Sequence, residues 1–476
     1  MIVRWPLPFG LSQPAALLDR LRRSTVVWSW VFNGFRLASG LLLLPLVLRK
    51  LSTEELGMYY VLLSLVALAP VIDFGFSPTI LRFVSYAMGG AETIQAHGVS
   101  KSAGAGPNFG LLWQLFFTTR ALYRGMALVV LVILGVWGTY MVELRIHETP
   151  SPNVVRVAWL ITLIATVFNV YSSWAPVFLR GMDDVLTSVR ITVLASVVRL
   201  LLAVGLLLAG AGLMSLPLGD LTGSLIQQAI ARRTCLRRLR RQPPPAMVEV
   251  WQNLRTLWPN SWRLGLLSLG GYFTVNANTA ICLSVLGLAA NARYGLSCQL
   301  LGVISGMASV WTYVKWPVIG QQRARHDYAA IQRTLWPRMW LQYLTFLAMA
   351  AGLLLFGQPL LRLFGSGKQM LPLPWLALLT LNSFLEGTVS TWGTLITTEN
   401  RIPYLWPGLV SSLLAFALSL TLIHTTSLGL GAFVLAPLLA HSLFNYWYWP
   451  LYAARGIQTT WLRFTFSRPK GNPGAL

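Results

Sequence analysis

The sequence has few charged residues, and acidic ones are the scarcest. Charged residues make up 11% of the 476 positions, against about 25% in soluble domains. Only 14 residues are Asp or Glu, whereas 55% are hydrophobic. Apolar runs of about 20 residues, the length that crosses a bilayer, recur along the chain. This composition excludes an ordinary soluble domain and predicts an all-α polytopic membrane protein.

Cysteine is also scarce, and a leader-like segment is missing. Cys235, Cys282 and Cys298 have the spacing of neither a metal site nor a disulfide framework. Residues 1–24 contain no compact apolar core followed by a small-residue cleavage site, so we expect the first span to be retained. The sequence therefore predicts no thiol chemistry, no metal and no cofactor other than a coupling ion.

Basic residues, in contrast, are in excess and give a net charge of +23. Such a charge can indicate nucleic acid as a partner, but here its distribution follows membrane topology. With the N-terminus in the cytoplasm, 27 of the 37 Lys and Arg residues fall on the inner side and seven on the outer side, as the positive-inside rule requires. We therefore predict no nucleic acid partner. The expected location is a bacterial inner membrane, with both termini cytoplasmic.

Twelve helical spans are predicted, in two groups of six. The predicted spans are 25–48, 57–79, 125–142, 157–179, 188–210, 212–231, 264–288, 294–319, 339–361, 371–396, 403–423 and 428–452. A basic, proline-containing stretch separates the groups. The predicted regions are a cytoplasmic segment 1–24, an N-lobe 25–231, a cytoplasmic linker 232–263, a C-lobe 264–452 and a cytoplasmic tail 453–476.

The two groups of spans resemble each other weakly. The segment from Leu48 to Leu68 can be laid over that from Leu283 to Ile304, because each contains an apolar helix, a short outer turn, and Gly and Tyr at the start of the next helix. A parallel repeat of this kind predicts alternating access to a site between the lobes near the midplane. The predicted outer loops are all short, which argues against a polysaccharide polymerase or ligase. We therefore expect a protein that is not an enzyme.

The segment from Leu41 to Gly90 closely resembles the opening of polysaccharide flippases. These are the O-antigen and repeat-unit (Wzx-type) translocases of the multidrug/oligosaccharidyl-lipid/polysaccharide exporter (MOP) superfamily. The elements that carry the likeness are Pro45 with the turn Leu51 to Gly57, Tyr59 or Tyr60 after it, and Asp73 to Pro78 leading to Arg82 and Phe83. The resemblance implies a V-shaped bundle of two six-helix lobes around a cationic central cavity. It also implies transfer of polyprenyl-pyrophosphate-linked oligosaccharide from the inner to the outer leaflet, for polysaccharide or O-antigen biosynthesis.

Two arginines lie in the middle of predicted spans, Arg36 in the first and Arg199 in the fifth. A cation at the centre of a span costs roughly 2.5–3.5 kcal/mol on insertion scales, so it is expected to face a watery cavity or a partner. Guanidinium stays charged and binds phosphate through two hydrogen bonds. We predict that Arg36 and Arg199 bind the pyrophosphate. Pairing of Arg36 with Asp73 or Asp220, and of Arg199 with Asp184 or Asp220, is the alternative.

Acidic and polar side chains within spans are the candidates for ion coupling and sugar contacts. Glu386 is the leading candidate for H+ or Na+ coupling, because burial favours the neutral form of a carboxyl group and lets it exchange a proton as access alternates. The further candidates for coupling are Asp73 and Asp220. The candidates for sugar or ion contacts are Asn276, Asn278 and His441. Interhelical hydrogen bonding is the structural alternative for the asparagines.

Two other functions fit the same composition. An ion-coupled multidrug exporter of the same superfamily is expected to carry carboxylates, rather than mid-span arginines, in its N-lobe cavity. The other is a scaffold that recruits glycosyltransferases for polysaccharide synthesis and does not transport. Such a scaffold would give no energetic reason for arginines in the middle of a span. The predicted partners are a lipid-linked oligosaccharide, membrane lipids, a polysaccharide polymerase and glycosyltransferases.

Overall fold

The computed structural model describes residues 25–94, 106–239, 247–363, 367–399 and 403–467, and within these ranges the chain forms helices without a β-strand. The helices of the first half are α1 (Thr25–Lys50), α2 (Thr53–Val66), α3 (Ala69–Ile72), α4 (Phe76–Met88), α5 (Phe109–Ile133), α6 (Thr139–Glu143), α7 (Pro152–Ser172), α8 (Trp174–Gly181), α9 (Val185–Leu208) and α10 (Ser215–Arg238). Those of the second half are α11 (Met247–Val275), α12 (Ala277–Tyr313), α13 (Trp316–Ala324), α14 (Tyr328–Leu363), α15 (Leu373–Thr397), α16 (Leu405–Thr425), α17 (Ala432–Ser442), α18 (Asn445–Arg455) and α19 (Trp461–Phe466).

Several of these helices combine into membrane spans. Eight segments of the described chain are long and apolar enough to cross a bilayer, among them Thr53–Met88, Phe109–Glu143 and Pro152–Gly181. The segment Ser261–Tyr313 turns back at Gly287 and so contains two spans. Together with α1, α10 and α15, these segments form a bundle of about 12 spans. The prediction of an all-α polytopic membrane protein is confirmed.

The second span is interrupted where the chain requires a left-handed conformation. Phe74 and Gly75 have φ angles of 50° and 74°, so α3 ends and α4 begins in a new direction. Asp73 stabilises the break, since its carboxylate accepts hydrogen bonds from the backbone N–H of Ser77 at 3.1 Å and from the Ser77 hydroxyl at 2.8 Å. Asp73 therefore caps the first turn of α4.

The turns at residues 50–52, 143–152, 209–214, 287 and 426–431 lie at one end of the bundle, which we call the short-turn end. Here α2 of the first half crosses α12 of the second half, and Gly57 lies at the contact. The amide of Asn291 donates to the carbonyl of Gly57 at 2.9 Å, and the hydroxyl of Tyr60 donates to Gln299 Oε1 at 2.6 Å. Leu288 contacts the backbone of Gly57 so closely that a Cβ there would lie 2.2 Å from its carbonyl oxygen. The short-turn end is closed by this crossing of α2 and α12.

The turn at Gly287 also depends on the first half of the chain. Gly287 has a φ of +81°, which starts the second part of α12 in a new direction. The Glu148 carboxylate accepts a hydrogen bond from the backbone N–H of Leu288 at 2.8 Å, and Arg145 donates to the carbonyl of Ser284 at 2.9 Å. A carboxylate at the start of a helix is favourable because unpaired N–H groups point at it. These contacts fasten the two halves at the short-turn end.

The opposite end, which carries Arg180, Arg232, Arg233, Arg237 and Arg238, is called the basic end. Helix α11 packs beside α4 and α5, where Ser261 donates to Thr79 Oγ1 at 3.0 Å and the ring of Trp258 stacks on Phe74 at 5.9 Å. Helix α10 continues to Arg238, and α11 begins at Met247. Both ends of the segment 232–263, which was predicted to be a linker, are therefore helical.

Candidate functional site

The second half contains a partly open cavity of about 520 Å3 between α12, α14, α15 and α17. Its wall combines hydroxyl and amide groups with aromatic rings. Its polar lining residues include Tyr294, Cys298, Gln342, Asn382, Glu386 and Thr391. Glu386 is the one carboxyl group among the lining residues of the described chain, and neither Lys nor Arg is among them. The cavity is therefore suited to a proton or a cation and not to an anion.

Glu386 belongs to a hydrogen-bonded chain that joins two helices. Asn382, one turn earlier on α15, donates to Glu386 Oε1 at 3.3 Å. The hydroxyl of Tyr446, on α18, donates to Asn382 Oδ1 at 2.7 Å. A displacement of α18 relative to α15 would therefore change the environment of the carboxyl group. Such a chain is one physical route by which protonation can be coupled to helix movement.

Asn278, also on α12, is not part of the cavity lining but lies beside Tyr294, which is. Its side chain is buried, and its Oδ1 has no hydrogen-bond partner in the described part of the chain. The hydroxyl of Tyr294 lies beside both Asn278 and Cys298, and Tyr294, Cys298 and Glu386 line the same cavity. A buried carbonyl oxygen without a donor is costly, and a bound cation or water would satisfy it. The structure thus brings Asn278 and Glu386 to one polar region.

His441 borders this region and does not line it. Its ring stacks on Tyr446 with centroids 5.7 Å apart, and its Nδ1 lies 2.9 Å from the amide nitrogen of Asn445. Asn445 also accepts a hydrogen bond from Trp449 at 2.9 Å. His441 consequently holds Tyr446 in place. A direct contact of His441 with a sugar or an ion stays a prediction.

Asn276 lies apart from the cavity, although it is only two residues from Asn278. It occupies the single-residue break between α11 and α12, where its backbone N–H donates to the carbonyl of Tyr272. Its neighbours Tyr272 and Ala277 pack with Val71 in a separate small cluster. Residues two apart on a helix do not share a face. The structure therefore separates the two asparagines that the sequence grouped together.

Arg199 and Asp220 form an ion pair between α9 and α10 in the first half. Arg199 Nε lies 3.0 Å from Asp220 Oδ1, and the side chains are 41% and 49% exposed. The helices approach closely because Gly219 and Gly223 face the backbone of α9; a Cβ on Gly219 would lie 2.8 Å from the Arg199 carbonyl oxygen. The pair therefore holds the guanidinium in a fixed position and leaves about half of each side chain exposed.

The side chain of Arg36 lies outside the described residues, so its role stays a prediction. Its position along α1 can nevertheless be compared with that of Arg199. Arg190 lies over the ring of Trp28 at 5.3 Å, and both helices run toward the short-turn end. Arg36 is about 12 Å beyond Trp28, and Arg199 about 14 Å beyond Arg190, at 1.5 Å per residue. The two positions thus stand at nearly the same height on neighbouring helices.

Asp73 is separated from both polar regions. Besides its contacts with Ser77, its Oδ1 accepts a hydrogen bond from the hydroxyl of Tyr123 at 2.9 Å. Its oxygens therefore serve the junction between α3, α4 and α5. Ion coupling through Asp73 stays a prediction that these contacts do not require.

Sequence reasoning missed a second buried polar group on the wall of the cavity. Thr312 donates to Gln342 Oε1 at 2.8 Å, and the Gln342 amide donates to Thr391 at 3.0 Å. The signal available was Gln342 itself, because an amide inside an apolar span needs partners. The partners could not be identified, since Thr312 and Thr391 come from two other helices that are distant in sequence.

Solved structures with the same fold are transporters and flippases. The lipid II flippase MurJ, in an inward closed conformation, has a TM-score of 0.60 at 13% identity, covering 93% of this chain and 89% of that chain. An inward-facing multidrug resistance MATE family transporter of the MOP superfamily has a TM-score of 0.56 at 16% identity, covering 89% of this chain and 94% of that chain. A MOP superfamily transporter from Pyrococcus furiosus has a TM-score of 0.53 at 15% identity, with coverages of 94% and 98%.

No family model and no curated protein matches the sequence. The structural likeness therefore establishes the fold of MATE transporters and MurJ and, with the apolar helices, a multi-pass membrane protein.

Proposed function

We propose that this protein is a MOP-superfamily transporter that moves polyprenyl-pyrophosphate-linked oligosaccharide repeat units from the inner to the outer leaflet. The observation that carries the proposal is the half-exposed Arg199–Asp220 pair, with Arg36 at nearly the same height on the neighbouring helix. The fold shared with the lipid II flippase MurJ supports a lipid-linked cargo. The resemblance of residues 41–90 to repeat-unit flippases supports the sugar-bearing form of that cargo.

The physical basis is the cost of moving a hydrated pyrophosphate across roughly 30 Å of hydrocarbon. Arginines within a water-filled path lower this cost, because each guanidinium replaces hydration with charge-assisted hydrogen bonds to phosphate. Asp220 neutralises Arg199 while the site is empty, and a pyrophosphate that competes with Asp220 would release the guanidinium. The polyprenyl tail remains in lipid.

The cavity around Glu386 supports a coupling site in the second half. Its single carboxyl group can hold a proton or Na+, and the unpaired Asn278 Oδ1 belongs to a side chain beside Tyr294 on the cavity wall. The chain from Glu386 through Asn382 to Tyr446 connects ion binding to the relative position of α15 and α18. On this proposal, the first half binds the anionic cargo and the second half binds the cation that drives its movement.

A multidrug exporter is the second candidate, and one observation favours it. The Glu386 cavity is lined by the rings of Tyr343, Phe346 and Phe384. A carboxylate among aromatic rings can bind an organic cation through charge and cation–π attraction. The multidrug exporters with this fold add weight to this candidate.

The proposed orientation places the basic end in the cytoplasm of a bacterial inner membrane, as the positive-inside rule predicts. The state described here is then closed toward the outer side, through the crossing of Gly57 and Leu288. Glycosyltransferases that complete the repeat unit and a polymerase that consumes it are the proposed partners on the two sides. A scaffold without transport activity would not require the closed crossing.

Breaking the Arg199–Asp220 pair is expected to change cargo binding in opposite directions. Arg199→Gln should weaken binding of a soluble pyrophosphate analogue about tenfold, since one charge-assisted contact is lost. Asp220→Asn should strengthen it several-fold, because the guanidinium no longer has an internal competitor. Isothermal titration of purified variants measures both effects.

The matched controls are Arg156→Gln and Glu143→Gln, which break an exposed ion pair of 2.8 Å at the short-turn end. These variants should bind the analogue like wild type. Equal losses in all four variants would mean that the charge changes act on the fold rather than on a site.

The proposed cargo is tested in host cells depleted of this protein. Polyprenyl-linked glycans should accumulate on the inner leaflet, and wild type, but not Arg36→Ala, should correct the accumulation. Restored drug resistance with an unchanged glycan pool would move the assignment to the multidrug exporter.

A further inference from the structure

A second group of arginines lies on the outer surface of the first half, away from the cavity and from the Arg199–Asp220 pair. Arg120 and Arg124 stand one turn apart on α5, and both guanidinium groups lie beside the hydroxyl of Tyr171 on α7. In the described part of the chain, neither arginine forms an ion pair with a carboxylate. Two guanidinium groups and one phenol hydroxyl therefore lie close together.

Aromatic rings hold Arg120 in position. Its guanidinium lies 5.3 Å from the centre of the Phe116 ring and 5.9 Å from that of Trp174, which is buried. Cation–π contacts of this kind fix the plane of the guanidinium and leave its edge free for an acceptor. Arg120 Nε is buried and has no hydrogen-bond partner among the described residues.

The height of this group along α5 matches a membrane surface. From Arg124 to Glu143 the helical path rises about 28 Å at 1.5 Å per residue, close to the roughly 30 Å thickness of the hydrocarbon core. Glu143 pairs with Arg156, and this exposed pair marks the opposite surface. Arg120, Arg124 and Tyr171 therefore stand where lipid headgroups begin on the basic side.

An exposed apolar surface continues from this group toward the short-turn end. On α5 it consists of Leu128 and Val132, which are 61% and 57% exposed, and on α7 of Leu160 and Ile164, which are 54% and 49% exposed. These residues follow Arg124 and Tyr171 at helical spacing. An apolar surface therefore lies next to a cationic site. This arrangement is complementary to a lipid with an anionic headgroup and apolar chains.

We propose that Arg120, Arg124 and Tyr171 form a binding site for the phosphate headgroup of an anionic phospholipid of the surrounding leaflet. The two guanidiniums bind the phosphate oxygens, the Tyr171 hydroxyl donates a third hydrogen bond, and the acyl chains lie along α5 and α7. A bulk phospholipid is favoured over the transported lipid because the group faces outward. This inference does not depend on the cargo.

Native mass spectrometry of the detergent-purified protein tests the site, with phosphatidylglycerol as the probe and phosphatidylcholine as the zwitterionic comparison. R120Q/R124Q should weaken the tightest class of phosphatidylglycerol binding about 30-fold, as expected for two surface charge contacts, and should leave phosphatidylcholine unchanged. The control R232Q/R233Q removes two exposed arginines at the same end and should retain tight binding.

Three outcomes would overturn the proposal. They are unchanged phosphatidylglycerol affinity in R120Q/R124Q, an equal loss in both double variants, and a loss confined to polyprenyl pyrophosphate in a parallel titration. If R120Q/R124Q does not fold, Tyr171→Phe decides the question, because it keeps the ring and removes the hydroxyl. An affinity for phosphatidylglycerol reduced about threefold supports the site, and an unchanged affinity refutes it.

Discussion

Gly57→Ala is expected to stop transport by preventing closure of the short-turn end. A Cβ at this position would lie 2.2 Å from the carbonyl oxygen of Leu288 and 2.8 Å from its carbonyl carbon, so α2 and α12 must separate. Separation also removes the hydrogen bond from Asn291 to the Gly57 carbonyl. We expect the substitution to destabilise the closed state by at least about 1.4 kcal/mol, which lowers its population about tenfold. The transport rate should therefore fall at least about tenfold.

Electron paramagnetic resonance between spin labels at Glu54 and Arg293 checks this expectation. The distance between the labels should lengthen in Gly57→Ala and stay at the wild-type value in Gly205→Ala, where nothing lies within 4 Å of the added Cβ. Normal transport by Gly57→Ala together with a separated short-turn end would contradict the view that closure at this crossing belongs to the transport cycle.

Glu386→Gln is expected to abolish the dependence of transport on an ion gradient. Glutamine keeps the size of the side chain and an oxygen that can accept from Asn382, but it can neither bind a proton nor supply a negative charge to Na+. The hydrogen-bonded chain to Tyr446 can therefore form without the group that responds to the ion. Transport driven by a gradient should fall at least about tenfold, to the rate observed without a gradient.

Transport into vesicles with imposed proton or sodium gradients measures the coupling. Ser390→Ala is the matched control, because Ser390 lines the same cavity on the same helix and carries no ionisable group. It should keep the gradient dependence. If Glu386→Gln transports normally and still responds to both gradients, the coupling ion binds elsewhere.

Much of the helical architecture could be predicted from apolar runs, but one turn at the short-turn end was misplaced. The sequence indicated spans at 264–288 and 294–319, which leaves the polar residues Asn291 and Arg293 in a loop. The structure turns at Gly287 and continues as a helix through both residues. The error has a physical cause, since Asn291 is polar because it donates to Gly57 in the other half. A polar residue that makes a contact between distant segments was therefore assigned to a loop.

The candidate site, too, could be predicted from the sequence only in part. Glu386 and Asn382 are four residues apart on one helix, so their contact follows from helical spacing. The link from Asn382 to Tyr446 joins separate helices, and the approach of Asn278 through Tyr294 depends on how α12 packs. Asp220 was among the partners considered for Arg199, and the packing of Gly219 and Gly223 against α9 explains why that partner is the one in contact.

The proposed function is tested most directly by reconstituting the purified protein in vesicles that contain a fluorescent polyprenyl-pyrophosphate oligosaccharide. A membrane-impermeant reagent that destroys the label in the outer leaflet then measures transbilayer movement. Wild-type protein should give movement that Arg36→Ala and Arg199→Ala each reduce at least about tenfold, as expected when a charge-assisted phosphate contact is lost. Movement that equals protein-free vesicles, or that both arginine variants support at the wild-type rate, would contradict a flippase that carries pyrophosphate past these arginines.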